Sequence, residues 1–295
     1  GSLPALAQGL VHQWLGDRRG RRLDAGPVNL VAAAGLLICP ACGGDLDLTA
    51  RPVRCPAGHC HDVARQGYLN LLGGPQPANA DTAPMLAARD RFLGSGAYDP
   101  LVDLVARLVA DAAPRVVVEP GAGTGFYLAR ALDALPETVG VASDVSVAAA
   151  RRAARAHPQL AAVVADTWRG LPVRTGSVDA ICSVFAPRNP AEFHRLLRPG
   201  GLLVVVLPLP DHLAGLRARL GLLNIEPDKQ ERWSDAAADY FRPGHVEVLR
   251  HDLNLDTGQV ADLVAMGPNA FHGAVAGTGP VHDQVAVQVT QLRSI

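Results

Sequence analysis

The spacing of four metal-type ligands near the start of the chain constrains the fold more than any other feature. Cys39 and Cys42 are separated by two residues, Cys55 and His59 by three, and twelve residues lie between the two pairs. Each short gap has the length of a turn, and the spacer is long enough for a small hairpin. Three thiolates and one imidazole at this spacing are typical of a closed tetrahedral zinc site. The sequence therefore predicts a structural Zn²⁺ held by these four residues.

Length and composition predict a folded protein with more than one domain. A chain of 295 residues supports one large and one small domain, or two medium ones. With 48% hydrophobic and 19% charged residues it can bury a core, which argues against global disorder. Its longest apolar runs have the length of strands and are interrupted by proline, so we expect no membrane span.

The cysteines indicate a reducing compartment. Four of the five lie between residues 39 and 60, the fifth is Cys182, and this distribution does not resemble a disulfide framework. The opening residues, GSLPALAQGL, contain neither the basic nor the apolar region of a signal peptide. We therefore expect a cytoplasmic protein whose clustered cysteines bind metal.

The charge balance excludes a strongly basic protein. Lysine and arginine number 27 against 28 acidic residues, which gives a net charge of −1, so no global field attracts nucleic acid. Arginines cluster locally at 18–22 and at Arg151, Arg152 and Arg155. Either cluster could contact phosphates. For the second, a solvated helix face is the simpler interpretation.

A glycine-rich segment, EPGAGTG at 119–125, follows a short apolar strand and precedes a helix pattern. Glycines at such a turn let the backbone approach a ligand, and the helix N-terminus offers free N–H groups. Dinucleotide enzymes, methyltransferases and some structural turns share this pattern. The spacing of Gly121, Gly123 and Gly125, without a final x-x-G, favours S-adenosylmethionine over a dinucleotide.

Acidic residues end three successive predicted strands: Glu119, Asp144, and Asp166 with Thr167 beside it. Carboxylates at the carboxyl ends of parallel strands are placed to hold a ribose and an adenine. Taken singly, Asp144 or Asp166 could instead cap a helix, but the set of three favours a nucleoside site.

Near-continuous apolar strands alternate with helices after residue 110, which predicts an α/β fold with a parallel sheet covered on both faces. Helical patterns also occupy 84–110, around a break at 94–96. The predicted strands are 115–119, 138–142, 161–165, 179–185 and 202–207, the last opened by a turn at 198–201, and the predicted helices are 126–135, 147–156 and 190–197.

Several longer segments resemble the RlmA family of 23S rRNA guanine-N1 methyltransferases, including its tylosin-resistance type. The run DVARQGYLNLL at 62–72, directly after the metal ligands, is the most specific of them. The others are ARDRFLGSGAYDP at 88–100, the glycine loop, and segments 185–190, 196–201, 211–213 and 265–268. The resemblance covers roughly residues 37–295. It implies a Rossmann-like class I domain, dependent on S-adenosylmethionine, behind a small zinc-ribbon or knuckle domain that reads RNA.

The resemblance also implies particular site residues. It selects His59 as the fourth zinc ligand over the adjacent Cys60 and His61. The residues that match cofactor contacts of the family are Tyr98, Phe126, Tyr127 and His212.

On this basis we expect three regions: an extension of unknown role at 1–36, a zinc-binding domain at 37–73 and a methyltransferase domain at 74–295. The favoured activity is methyl transfer to N1 of a guanine in a hairpin loop of 23S rRNA, with tylosin-type macrolide resistance as a consequence. A base must be splayed out of such a loop and stacked. Phe185, at the end of the fourth predicted strand, is our candidate for that stacking, or else an ordinary core residue. No residue is identified as the general base.

Departures from the family pattern leave alternatives open. Pro120 follows the first-strand acid, Val147 replaces the usual lysine, and Phe271 replaces a tryptophan. A second hypothesis is therefore methylation of a small molecule in natural-product biosynthesis, and a third is a binding protein without catalysis. A homodimer is a further expectation that rests on the resemblance alone.

Overall fold

The computed structural model describes residues 28–223, 225, 229–267 and 279–295. Most of the predicted extension, the arginine cluster at 18–22, and Phe271 lie outside these residues.

The described part of the chain forms nine helices and ten strands. The helices are α1 (Val28–Ala32), α2 (Ala83–Gly94), α3 (Asp99–Ala110), α4 (Phe126–Leu132), α5 (Val147–Ala153), α6 (Pro190–Leu196), α7 (Ala214–Leu220), α8 (Lys229–Ala237) and α9 (Thr257–Ala265). The strands are β1 (Val53–Arg54), β2 (Cys60–His61), β3 (Leu69–Asn70), β4 (Val116–Pro120), β5 (Val139–Asp144), β6 (Leu160–Val164), β7 (Val178–Val184), β8 (Leu197–Pro208), β9 (Phe241–Leu255) and β10 (Val281–Ser294).

Eight of these strands form one sheet in the order β3-β6-β5-β4-β7-β8-β10-β9. The strands from β3 to β8 are parallel, whereas β10 runs antiparallel to both β8 and β9. β4 lies between β5 and β7, so the strand order reverses direction there, and ligands bind at the carboxyl ends of strands beside such a switch point. The predicted α/β, Rossmann-like class is confirmed.

Local sequence signals explain where the helices begin. The Thr82 side chain accepts a hydrogen bond from the N–H of Met85, and Pro84 occupies the first turn of α2. The Ser146 hydroxyl accepts from the N–H of Ala149 at the start of α5. These caps satisfy N–H groups that have no partner within the helix.

Helices cover both faces of the sheet and create two cores. On one face, α2, α3 and α4 pack buried residues such as Leu101 and Leu128 against the sheet. On the other face, buried residues of the zinc-ligand region, among them Leu48 and Val53, share a core with Ile181 of β7. The metal-binding segment is thus packed onto the sheet.

Residues 37–73, which we call the zinc module, also join the sheet through the backbone. β3 pairs in parallel with β6, with Asn70 opposite Val164. At the other end of the module, the N–H of Ile38 donates to the carbonyl of Pro172 at 3.0 Å. Strands from both sides of the predicted boundary between 73 and 74 therefore belong to the same sheet.

Some predicted elements differ in the structure. α4 and α5 end at 132 and 153, three residues before the predicted ends at 135 and 156, because turns replace the last helical turn. The predicted turn at 198–201 lies within β8. No helix of the described ranges is both long and apolar enough to cross a membrane.

Candidate functional site

The four predicted zinc ligands come together in the structure. The ligand atoms of Cys39, Cys42, Cys55 and His59 all lie within 4.8 Å of one another. The Sγ atoms of Cys42 and Cys55 are 3.6 Å apart, and Nδ1 of His59 is 3.3 Å from Sγ of Cys55 and 3.6 Å from Sγ of Cys39. Zinc–sulfur bonds of about 2.3 Å place tetrahedral ligands roughly 3.8 Å apart. The residues therefore fit a Zn²⁺ ion bound in a closed site.

Two tight turns hold these ligands. The N–H of Gly43 donates to the carbonyl of Cys39 at 2.8 Å, and that of Gly58 donates to Cys55 at 3.0 Å. Both glycines have positive φ, 69° and 86°, a conformation that residues with a Cβ rarely adopt. The turns point the side chains of each pair to one position, which is why the spacing alone identifies the site.

The neighbouring Cys60 and His61 lie outside the group of four. Cys60 is exposed, and its thiol lies 3.4 Å from the carbonyl of Gly58. Nε2 of His61 lies 3.5 Å from Sγ of Cys39, so His61 contacts one of the four zinc-binding residues without belonging to the group.

The glycine loop turns sharply at the carboxyl end of β4. Gly121, Gly123 and Gly125 all have positive φ, at 65°, 56° and 75°. A Cβ at Gly121 would lie 2.8 Å from Cβ of Ala186, so the loop abuts the segment after β7. The loop thus lies at the switch point of the sheet, the place where ligands bind in folds of this kind.

Two of the predicted acidic residues support the loop. Asp144, at the end of β5, accepts hydrogen bonds from the N–H groups of Gly123 at 2.9 Å and Ser146 at 2.8 Å. Glu119 is buried, and Oε2 of its carboxyl group accepts from the N–H of Leu128 in the first turn of α4 at 3.2 Å. Burial raises the pKa of Glu119 to about 8, and the nearby Asp144 acts in the same direction. Glu119 thus lies beneath the loop, with its carboxyl group bound to the helix.

Asp166 and Thr167 lie at the end of β6, next to the Asp144 strand. One Asp166 oxygen accepts from the N–H of Trp168 at 2.9 Å. The carbonyl of Thr167 accepts from the side chain of Asn189 at 3.2 Å, which ties this loop to the loop after β7. Trp168 itself is 65% exposed, so its aromatic ring is accessible to solvent at the edge of the site.

Tyr98 and His212 form a buried pair beside the site. The N–H of Ala286 donates to Nδ1 of His212 at 3.2 Å, so the ring proton is assigned to Nε2, 3.5 Å from the Tyr98 hydroxyl. Burial, with the nearby Arg217 charge, lowers the pKa of His212 to about 4. Its imidazole is therefore neutral at pH 7, and burial raises the pKa of Tyr98 as well.

The remaining predicted aromatic residues follow β7 and begin α4. The Phe185 ring lies 5.8 Å from that of His212, is 41% exposed, and has a positive φ of 52°. Such a backbone conformation is strained for a residue with a Cβ, and strain of this kind clusters at functional sites. Phe126 and the buried Tyr127 begin α4, with ring centroids 6.3 Å apart.

Sequence reasoning missed two features of this edge. The first is Arg89 of α2, which lies against the glycine loop. It belongs to the RlmA-like segment 88–100, but the sequence alone predicts no role for it. A groove of about 1050 Å³ also runs between α4 and α5, bounded by Gln66 and Tyr68 of the zinc module, by Arg151 and other residues of the two helices, and by Arg155 just after α5. The sequence shows the arginine cluster, but only the fold shows that this cluster lies beside the zinc module.

Comparison with known proteins gives a consistent result. The family model described as RlmA, N-terminal, matches residues 37–76, and a methyltransferase-domain model matches residues 117–201. A protein of Streptomyces fradiae named 23S rRNA (guanine(748)-N(1))-methyltransferase is 46% identical over 240 residues, which cover 80% of this chain and 86% of the relative. The chain belongs to this methyltransferase family.

Two further relatives extend the comparison. A protein of Micromonospora griseorubida, provisionally described as a 23S rRNA (guanine-N(1)-)-methyltransferase, is 45% identical over 287 residues, 88% of this chain and 97% of the relative. YxjB of Bacillus subtilis, with the same provisional description, is 30% identical over 249 residues, 79% and 86% of the two chains. This chain is accordingly a methyltransferase dependent on S-adenosylmethionine, with a zinc ribbon.

Proposed function

We propose that this enzyme methylates N1 of a guanine in a hairpin loop of 23S rRNA. The proposal rests on the direct connection between the zinc module and the methyltransferase sheet. The zinc module contributes β3 to the same sheet whose central strands carry the glycine loop and Asp144. Identity of 46% to the Streptomyces fradiae enzyme supports the choice of acceptor.

Features at the rim of the site suit a single-stranded RNA loop. RNA loops are recognised by stacking unpaired bases on aromatic rings and by contacts to phosphates. Trp168 and Phe185, 65% and 41% exposed, follow strands β6 and β7 at the same edge of the sheet. We propose that Phe185 stacks on the target guanine and that Trp168 receives a neighbouring base.

The groove between α4 and α5 suits the RNA backbone. Arg152 and Arg130, which also line it, form ion pairs with Asp90 and Asp103. Arg151 and Arg155 form no ion pair with any described residue. Because Tyr68 of the zinc module borders the same groove, a strand held by these arginines would reach both parts of the protein.

Orientation supplies most of the catalysis in this proposal. When bound, S-adenosylmethionine supplies a methyl group on a sulfonium, which is already a good leaving group. The chain therefore has to align the acceptor nitrogen with that methyl group, and alignment of this kind removes much of a barrier. We propose that Tyr98, Phe126, Tyr127, Asp144, Asp166, Thr167 and His212 hold the donor with Gly121, Gly123 and Gly125, and that Glu119 supports them from below.

Primer extension tests the acceptor. Protein-free 23S rRNA incubated with enzyme and donor should give a reverse-transcription stop at one guanine, because methylation of N1 blocks base pairing. The stop should vanish without donor. Absence of radioactive methyl incorporation into any rRNA, with donor binding intact, would exclude the proposal and favour a small-molecule acceptor.

Three consequences accompany the proposal. Expression in a susceptible host should raise resistance to tylosin-type macrolides, measured as growth at graded drug concentrations. The enzyme should work in the cytoplasm, where ribosomes are. The homodimer implied by the family resemblance stays a prediction, which light scattering coupled to gel filtration tests.

A further inference from the structure

We propose that Arg89 binds the α-carboxylate of the methyl donor. The inference rests on the donor assigned above and identifies the residue that receives its amino-acid end. Arg89 is not among the residues that the sequence predicts to contact the donor.

Arg89 lies directly on the glycine loop. A Cβ at Gly123 would be 2.5 Å from Nη1 of Arg89 and 3.6 Å from Cζ. Nη1 forms an ion pair with Asp81 at 2.6 Å, and Nη2 donates to the carbonyl of Met266 at 2.7 Å. The guanidinium is therefore held from two sides in the space above a glycine whose missing side chain makes that approach possible.

Charge singles out this position. The donor carries a carboxylate, yet the side chains predicted to contact it are acidic or uncharged, because His212 is neutral at pH 7. Arg188 follows Ala186, which packs against Gly121, but its Nη1 donates to the carbonyl of Ala186 and its guanidinium lies 5.7 Å from the Trp233 ring. Arg89 thus supplies the positive charge at the loop itself.

The surroundings of Arg89 are those of a binding group. Its side chain is 24% exposed, as Asp81 is at 25%, so the ion pair is neither freely solvated nor sealed in the core. A guanidinium binds carboxylates with two parallel N–H groups. The donor carboxylate can therefore take the place of Asp81 or share the guanidinium with it. The positive charge of Arg89 also opposes the rise in pKa that burial causes at Glu119 and Asp144.

A pair of ligands isolates this contact. S-adenosylhomocysteine has the amino-acid end of the donor, whereas 5′-methylthioadenosine lacks it. Calorimetry on the full-length protein should give a clear preference of the wild type for S-adenosylhomocysteine. Arg89→Met should weaken S-adenosylhomocysteine binding about tenfold or more, the usual scale for a charged hydrogen bond, and change 5′-methylthioadenosine binding less than about threefold.

Arg91→Met is the matched control. Arg91 lies on the same helix and pairs with Asp262 at the surface, so its loss should leave both affinities unchanged. Asp81→Asn keeps Arg89 but removes its competing carboxylate, and should leave S-adenosylhomocysteine binding equal or tighter. Arg89→Lys retains the charge without the paired N–H groups and should lie between the wild type and Arg89→Met.

The outcomes separate the alternatives. Equal weakening of both ligands by Arg89→Met in a protein with an unchanged melting temperature would show that Arg89 only shapes the loop. If that variant fails to fold, Arg89→Lys and Asp81→Asn decide by the same ratio of affinities. A wild type that binds both ligands equally also overturns the inference. No binding of either ligand by the wild type would instead reject the assigned donor, and neither result depends on RNA.

Discussion

The zinc site and the donor pocket are built in opposite ways. All four zinc ligands come from the 21 positions between 39 and 59 and are held by two tight turns. The donor pocket proposed above would draw on residues from Arg89 to His212, and it depends on the order of the central strands. A local site can be identified from spacing, whereas a pocket assembled from distant residues depends on the topology that brings them together.

The two sites also differ in their source of stability. The zinc module has only short strands of its own, since β1 and β2 are two residues each. We therefore expect metal binding to stabilise the module in addition to the core that it shares with the sheet. The pocket rests on a large parallel sheet with a core on both faces. The predictions below test this difference, beginning with the largest effect.

Removal of one zinc ligand should have the largest effect. Cys42→Ser removes an exposed ligand, and structural zinc in small modules contributes about 10 kcal/mol or more. We expect zinc content to fall from about one equivalent to nearly none, and amide exchange to accelerate across 39–59. Metal analysis and hydrogen-exchange mass spectrometry measure the two effects.

Cys60→Ser is the control for that change. Cys60 is an exposed cysteine beside the cluster but outside it, so zinc content and exchange should match the wild type. Loss of zinc in this variant, or its retention in Cys42→Ser, would contradict the proposed ligand set. Because the module shares a core with the sheet, the melting temperature should fall in Cys42→Ser while the order of exchange along the central strands is retained.

The second prediction concerns the pH dependence of the sheet beneath the pocket. Burial raises the pKa of Glu119 from 4.5 to about 8. The folded state therefore holds this proton more tightly than the unfolded state does. Its contribution to stability is fully present below pH 4.5 and is lost as the pH rises towards 8, at about 1.4 kcal/mol per pH unit within that window.

Glu119→Gln should remove this loss. Glutamine keeps an oxygen that can accept from Leu128, so the fold should persist, and its advantage over the wild type should grow by about 3 kcal/mol between pH 5 and pH 7.5. Urea unfolding at several pH values measures the difference. Glu137→Gln, at an exposed position, should show no such growth. Parallel stability curves for Glu119→Gln and the wild type would mean that the carboxyl group is ionised in the folded protein.

The sequence predicts the central strands of the sheet well and its antiparallel edge poorly. The strands β4 to β7 lie within two residues of their predicted positions, because apolar runs bounded by glycines and acids have few alternatives. The β9–β10 pair was not predicted. β9 lies at the sheet edge, and most of its residues are exposed or half-buried, so its sequence lacks the continuous apolar signal of a central strand.

The proposed donor pocket shows a similar limit. The glycine loop and Asp144 are linked by the hydrogen bond from Gly123, and both could be located from their places at strand ends. Arg89 could not, because it lies on a helix whose packing against the loop follows from the fold alone. The pairing of β3 with β6 was missed for a different reason: a strand of two residues has no periodicity to detect.

The last and smallest effect concerns the groove that joins the two regions. If Arg151 and Arg155 contact RNA phosphates, replacing both with glutamine should weaken rRNA binding about tenfold at moderate salt. It should also reduce the slope of log affinity against log salt by about 1.4, which is roughly 0.7 for each single-strand phosphate contact. Filter binding of a 23S rRNA hairpin at several salt concentrations measures both quantities.

A control with the same change in net charge makes this result specific. Arg107 and Arg219 are exposed on α3 and α7 and do not line the groove, and replacing both with glutamine should leave the salt slope within error of the wild type. If both double variants lost affinity equally, general charge rather than the groove would bind the RNA. Because Arg151 of α5 and Arg155 just beyond it line the same groove as Tyr68 of the zinc module, a loss confined to the first variant would mean that the RNA binds along the groove that borders both parts of the protein.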